Sequence, residues 1–302
     1  MTDAGTVRVG PPVRGIMLMI GAVASFTVLD STAKFLSKDL PVMEIIWARY
    51  LFSLVIFPFV FPCASIREAF RTTRLWIQIG RAMLLVTSTG AIFFAVRYLP
   101  LAETYAISFM APFLVALFAV LIVGEKVSGK RWLAIALGFG GAVIVIRPGS
   151  DVFDWAVIFP LTMAVCWALY QVVTRLISAT EPALTTLFFT MMVGAVVMSG
   201  VVPFYWVMPS QQEWLLMVFM GGVGLFGQLL LIKAYGVADS SLLAPFAYTQ
   251  IVWATLIGLF VFGDSPNVST IIGVTVIISG GFLVINSSRE AGSLDEEKCL
   301  WK

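Results

Sequence analysis

Ten apolar runs divide almost the whole chain between them, over residues 15–36, 42–62, 75–96, 100–123, 131–146, 154–175, 183–206, 213–235, 240–262 and 268–285. A helix needs about 20 mostly apolar residues to cross the ~30 Å hydrocarbon core of a bilayer. Hydrocarbon offers no partner to an open backbone amide or carbonyl, so such runs must close their hydrogen bonds within helices. The expectation is an all-α integral membrane protein with ten transmembrane helices. Of the 302 residues, 60% are apolar and 12% charged, which leaves no stretch for a sizeable water-soluble domain. The first run lies behind a 14-residue polar start and is followed by further spans, so it is expected to stay as a membrane helix rather than be cleaved.

Charge is informative by location. The 19 basic and 17 acidic residues nearly cancel, so no basic face for nucleic acid is expected. With both termini inside, the inner loops and tails collect Arg8, Arg14, Arg67, Arg71, Arg74, Lys126, Lys130, Arg131, Arg175, Lys233, Arg289, Lys298 and Lys302, and the outer side holds Lys38, Arg97 and Arg147. The positive-inside rule therefore puts both termini on the cytoplasmic side, and an even number of spans returns the chain to that side. The expected location is a bacterial inner membrane.

An internal repeat sharpens the architecture. Lys34 matches Arg175 and Pro62 matches Pro203 at an offset of about 141. Gly124-Glu125 recurs as Gly263-Asp264, and Gly140-Gly141 recurs as Gly280-Gly281, at about 139 and 140. Landmarks sharing one order and one period point to two related halves, 15–147 and 154–286, between an N-terminal tail (1–14) and a polar C-terminal tail (287–302). Each half has five spans. Five is odd, so the second copy must enter the membrane from the opposite side, giving two inverted five-helix repeats, an arrangement typical of secondary transporters.

Several segments carry a resemblance. D-S-T-A-K-F-L from Asp30, E-I-I-W-A-R-Y from Glu44, L-P-L-A-E-T-Y-A-I-S-F-M-A-P from Leu99, G-E-K at Gly124, K-A-Y-G-V-A-D-S-S-L-L-A-P-F from Lys233 and Y-T-Q-I-V-W-A from Tyr248 follow one another in order. Together they resemble the EamA branch of the drug/metabolite transporter superfamily over nearly the whole chain. The resemblance implies a cavity between helices 1–4 and 6–9, with helices 5 and 10 behind. Asp264 stands where the family usually has Glu. Family members carry amino acids, riboflavin, S-adenosylmethionine and other small metabolites, so the resemblance alone does not select a solute.

A charge within hydrocarbon costs ~2.5–3.5 kcal/mol and persists only with a partner or water. Asp30, Lys34, Glu44, Arg49, Arg81 and Glu103 are such charges. Asp30 and Lys34 share one face of span 1, and Glu44 and Arg49 lie in the outer half of span 2, so each couple reads either as a packing ion pair or as a solute contact. Asp30 and Glu44 are the candidates for carrying a coupling proton. In the second half Gln171 stands opposite Asp30, Thr185 opposite Glu44 and Thr190 opposite Arg49. Arg81, roughly 9 Å inside the inner end of span 3, is expected to snorkel to headgroups. Lys233 joins the solute contacts because the resemblance places it in a motif. Trp167, Tyr170 and Gln171 fall within one turn and offer a ring with a hydrogen-bonding end. Tyr248 and Gln250 extend that set, beside Trp47, Gln228 and Trp253. Pro112 and Pro245, inside spans 4 and 9, are the hinge candidates, because a proline ring and its missing N–H kink a helix.

Other patterns are decoys. Gly222-x-Gly224-x-x-Gly227 mimics a dinucleotide fingerprint without the preceding strand, and inside span 8 it reads as close helix contact or a bend. Ser31 to Lys34 mimics S-x-x-K without its partner motifs. With no histidine and Cys63, Cys166 and Cys299 far apart, no metal, cofactor or enzyme site is expected. A passive channel would lack the saturable counterflow of a carrier. The expected function is secondary-active transport of a small polar metabolite with a planar ring, of the riboflavin or S-adenosylmethionine class, by alternating access. An amino-acid or metabolite exporter is the alternative. The partners are the small-molecule solute, the lipid bilayer and protons, with a homodimer as an allowed assembly.

Overall fold

The computed structural model describes residues 12–62, 67–118, 155–178, 180–237 and 249–263, with positions 121–122, 129, 133, 136, 140, 246–247, 268, 271–272, 275–276 and 279. Among these, every regular element is a helix. They are α1 (Pro12–Leu36), α2 (Val42–Val60), α3 (Leu75–Tyr98), α4 (Leu101–Ser108), α5 (Ala111–Phe118), α6 (Ile158–Ser178), α7 (Ala183–Val201), α8 (Gln211–Val237) and α9 (Thr249–Ile257). A 3-10 turn, Trp155–Val157, leads into α6, and another, Val202–Phe204, follows α7. Six helices, α1, α2, α3, α6, α7 and α8, are long and apolar enough to cross a membrane. The chain is a multi-pass membrane protein. The spans expected over 131–146 and 268–285 fall outside the described residues, apart from isolated positions.

Proline sets the start of matching helices. α2 begins straight after Pro41 (φ −63°, ψ 138°) and α7 straight after Pro182 (φ −60°, ψ 146°). The first amides of a helix have no intrahelical acceptor, so a residue without an N–H loses nothing there, and its fixed φ suits the entry. The carbonyls of Pro41 and Pro182 accept from Ile45 and Thr186 at 3.3 and 3.1 Å, closing the first turn of each helix. These two prolines stand at the repeat offset of about 141, although the repeat was read from other landmarks.

Packing follows the same duplication. α1 runs along α8 as α6 runs along α3; α8 meets α2 as α3 meets α7; α1 touches α9 as α6 touches α4 and α5; and α2 packs on α7. Exchanging the halves maps these contacts onto one another. The first helix of each half thus lies on the third helix of the other, so neither half closes a core alone. Small residues let α8 approach closely. A Cβ on Gly221 would stand 2.4 Å from Phe52 Cβ, and one on Gly227 would stand 2.9 Å from Ser25 Cβ. In lipid, such close approach is a main source of helix association.

Among the described residues, spans 4, 7 and 9 depart from continuous α-helix. Span 4, expected unbroken over 100–123, divides at Phe109–Met110 between α4 and α5. Pro112 has no N–H for the carbonyl of Ser108, which lies four residues back, and its ring disfavours a straight helix through that turn. Span 7, expected to 206, leaves α-helix at Val201 because Pro203 likewise cannot donate. α9 ends in a π turn, Gly258–Phe262, whose last link is the Gly263 N–H to the Gly258 carbonyl. Gly263 adopts a left-handed φ of 71°, which glycine tolerates without Cβ strain.

Candidate functional site

The polar side chains of α1 divide by chemistry. Ser25, Thr27, Ser31 and Thr32 return their hydroxyls to carbonyls four residues back at 2.7–2.9 Å, which satisfies them within the helix. A carboxylate only accepts, so Asp30 has no such recourse. Its Oδ2 accepts a hydrogen bond from the phenolic O–H of Tyr105 on α4. Gln250, on α9, lines the same cavity as Tyr105.

Asp30 and Tyr105 line a cavity of ≈ 200 Å³. Helical spacing brings each helix's contribution onto one face. α1 presents Met19, Val23, Phe26 and Asp30; α3 presents Leu85, Ser88, Thr89 and Ile92; α6 presents Met163, Trp167 and Gln171. Ser108 and Phe109 come from the α4–α5 break, Leu231 from α8, and Ala247 and Gln250 from the α9 segment. Arg49 is the contribution of α2. Both halves of the chain therefore build a single site, largely apolar, with polar groups of both signs.

Arg49 is held from two sides. Its Nη1 donates to Thr89 Oγ1 at 2.6 Å, and Tyr50 Oη lies 2.9 Å from the same hydroxyl. The guanidinium carbon is 5.4 Å from the centre of the Tyr50 ring and 5.9 Å from that of Phe93, within cation–π range. Glu44 does not pair with Arg49. It is fully buried, with Oε2 accepting from the Val207 N–H at 3.2 Å and Oε1 lacking a partner. The reason is rotational: a five-residue step turns a helix by about 140°, so the two side chains leave on different sides.

Arg81 overturns the snorkelling expectation. It is 1% exposed and reaches Thr174 Oγ1 at 3.2 Å, Gln78 Oε1 at 3.2 Å, the Thr186 carbonyl at 2.6 Å and Thr190 Oγ1 at 2.7 Å. Its guanidinium lies 5.0 Å from the Tyr170 ring centre. These acceptors tie α3 to α6 and α7, so the side chain gains more by turning inward than by stretching to the lipid boundary. Beside it, Glu181 accepts from the Thr73 amide and hydroxyl at 2.9 and 2.8 Å and from Gln78 at 3.4 Å. Burial alone would raise the Glu181 carboxyl; the bonds from Thr73, Thr72 and Gln78 outweigh it and hold the group below the usual carboxylate range.

The remaining expected residues scatter. Asp30, Arg49, Trp167, Gln171 and Gln250 meet at the cavity. Tyr170 turns away: its hydroxyl accepts from Gln228 Nε2 at 3.0 Å and its ring stacks on Trp167 at 5.4 Å. Lys34 holds its ammonium 4.7 Å from the Phe262 ring centre, and Lys233 is exposed on α8. Trp47 donates to Ser199 at 3.0 Å, away from the cavity. Tyr248, Pro245, Asp264 and Glu125 lie outside the described residues, as do the side chains of Pro112 and Glu103. Sequence reasoning passed over Tyr105, Ser88, Thr89 and Ser108. The signal was present in the spacing of positions 85, 88, 89 and 92 on span 3, and in a tyrosine and a serine three apart in the motif that begins at Leu99.

Known proteins share this organisation. The profile of the EamA-like transporter family matches residues 13–147 and again residues 154–286. The chain is 26% identical over 284 residues to an S-adenosylmethionine uptake transporter of Rickettsia prowazekii, covering 94% of this chain and 96% of that one. It is 27% identical over 272 residues to a riboflavin transporter of Vibrio cholerae, covering 88% and 91%. It is 26% identical over 275 residues to a pseudopaline exporter of Pseudomonas aeruginosa, covering 87% and 93%. A solved crystal structure superposes with a TM-score of 0.69 at 17% identity, covering 92% of this chain and 98% of that chain, and has the same fold.

Proposed function

This chain belongs to the EamA-like transporter family, and we propose that it is a secondary-active carrier that moves a small polar metabolite with a planar ring across the bacterial cytoplasmic membrane. The relatives named for S-adenosylmethionine and riboflavin both handle solutes of that kind. The observation that carries the reading is the composite cavity, in which the Trp167 ring stands among Asp30, Arg49, Gln171 and Gln250, supplied by both halves. A volume of ≈ 200 Å³ falls short of the ~300–1,000 Å³ of ordinary ligand pockets. A fused heterocycle therefore enters by parting the halves. That is the movement alternating access requires. The α4–α5 break beside the cavity, close to Pro112, is the proposed hinge, with both termini cytoplasmic.

Of the two acids proposed to carry a coupling proton, Asp30 lines the cavity and Glu44 does not, which favours Asp30. The groups facing Asp30 are Tyr105 on α4 and Arg49 on α2, with Lys34 one turn along α1. The decisive experiment is uptake and counterflow in proteoliposomes with labelled S-adenosylmethionine, riboflavin and amino acids, with and without a pH gradient. Saturable counterflow of a planar heterocycle is expected, with the gradient response lost in Asp30→Asn. Absence of flux for every heterocycle tested overturns the reading. The similarity to an exporter favours a second direction, so the gradient is applied both ways.

A further inference from the structure

We infer that the cavity recognises an α-amino-acid zwitterion, with Asp30 receiving the ammonium group, Arg49 the carboxylate, and the planar part of the solute lying against Trp167. This rests on the carrier reading above and narrows it. Asp30 and Arg49 carry opposite charges into one cavity, and the charge of Arg49 acts on Asp30. Yet each is tied to a hydroxyl instead of to the other: Asp30 to Tyr105, Arg49 to Thr89. Opposite charges in a poorly solvated space are costly to leave without a counter-charge. A head group carrying both signs supplies one to each.

Each also keeps unused bonding capacity. Among the described residues Asp30 Oδ1 has no hydrogen-bond partner, and Arg49 uses a single nitrogen, Nη1, of a fork built with five N–H donors. Neither residue is among those whose buried polar atoms are sealed without a partner, in contrast to Arg81 Nε and Glu44 Oε1. The Tyr50 and Phe93 rings and Thr89 fix the direction of the Arg49 fork, which suits bidentate capture of a carboxylate. A neutral heterocycle would desolvate both charges and pair neither, and a singly charged solute would strand one. Only a zwitterionic head satisfies both. Trp167, stacked on Tyr170 and met edge-on by Phe26 at 6.5 Å, is a braced surface for the ring.

The test is competition against labelled S-adenosylmethionine uptake in proteoliposomes of the full chain. S-Adenosylhomocysteine presents ring and head, its methyl ester removes the carboxylate charge, 5′-methylthioadenosine lacks the head, and riboflavin has a ring without it. S-Adenosylhomocysteine is expected to compete at least about tenfold better than the other three. Arg49→Gln is expected to bring the acid and its ester to within about twofold of each other, a change that a merely structural arginine would not produce. Equal competition by 5′-methylthioadenosine or riboflavin overturns the inference and leaves the carrier reading standing. Absence of saturable heterocycle flux overturns both. Should Arg49→Gln not fold, the competitor series on the unaltered protein decides alone.

Discussion

Replacing Gly221 with alanine tests how the halves interlock. The new methyl carbon would stand 2.4 Å from Phe52 Cβ and 3.0 Å from both the Phe52 carbonyl carbon and the Ser53 nitrogen. Carbon atoms rest at about 3.5–4.0 Å, so α8 must retreat from α2 by about 1 Å or more. Two of the three obstacles are backbone and no rotamer relieves them. The retreat also stretches the 2.8 Å bond from Ser53 Oγ to the Gly221 carbonyl. Overpacking of this kind costs about 1–3 kcal/mol. Alanine also favours helix over glycine by up to ~1 kcal/mol, which confuses a single measurement. Gly80 in α3 supplies the control, because a Cβ there meets nothing within 4 Å. The helix preference is common to both substitutions, so Gly221→Ala should be less stable than Gly80→Ala by about 1–3 kcal/mol in equilibrium unfolding in mixed micelles. Equal stabilities would refute the close α8–α2 contact. Transport should fall as well, since a Cβ on Gly224, one turn on, lies 3.9 Å from Arg49 Cγ.

Three further outcomes are expected. Tyr105→Phe strips Asp30 Oδ2 of its donor and should lower unfolding free energy by about 1–3 kcal/mol, measured in the same micelles. Arg81→Lys replaces a fork that reaches two neighbouring helices by a single ammonium, so a loss of roughly 1.5–3 kcal/mol is expected, and a stability unchanged within error would contradict the inward contacts. Glu181 is more acidic folded than unfolded, so its contribution is complete above the ordinary carboxylate value and is lost as pH falls through the lower folded value. Unfolding measured across the acid range should show this decline in the unaltered protein and a flatter profile in Glu181→Gln.

Much of the helical framework was legible because lipid leaves an apolar run few choices: its peptides must pair within the run, so length and hydropathy alone place α1, α2, α3, α6, α7 and α8. The duplication was legible in landmarks that recur at one period, and it set Gln171 opposite Asp30 before the cavity brought both into its lining. Which polar groups meet was another matter. Charges close in sequence suggested local pairs, but helix rotation sends Glu44 to the Val207 amide and Arg49 to Thr89. The true partners of Asp30 and Arg81 are hydroxyls, an amide and a carbonyl 75 to 109 residues away, apart from Gln78 on the same helix. Threonine, tyrosine and backbone groups recur throughout such a chain and carry no charge to advertise a partner. Hydrophobicity, which acts without direction, wrote the spans into the sequence; hydrogen bonds depend on angle and distance, so the site existed only once α1 had been laid on α8 and α6 on α3.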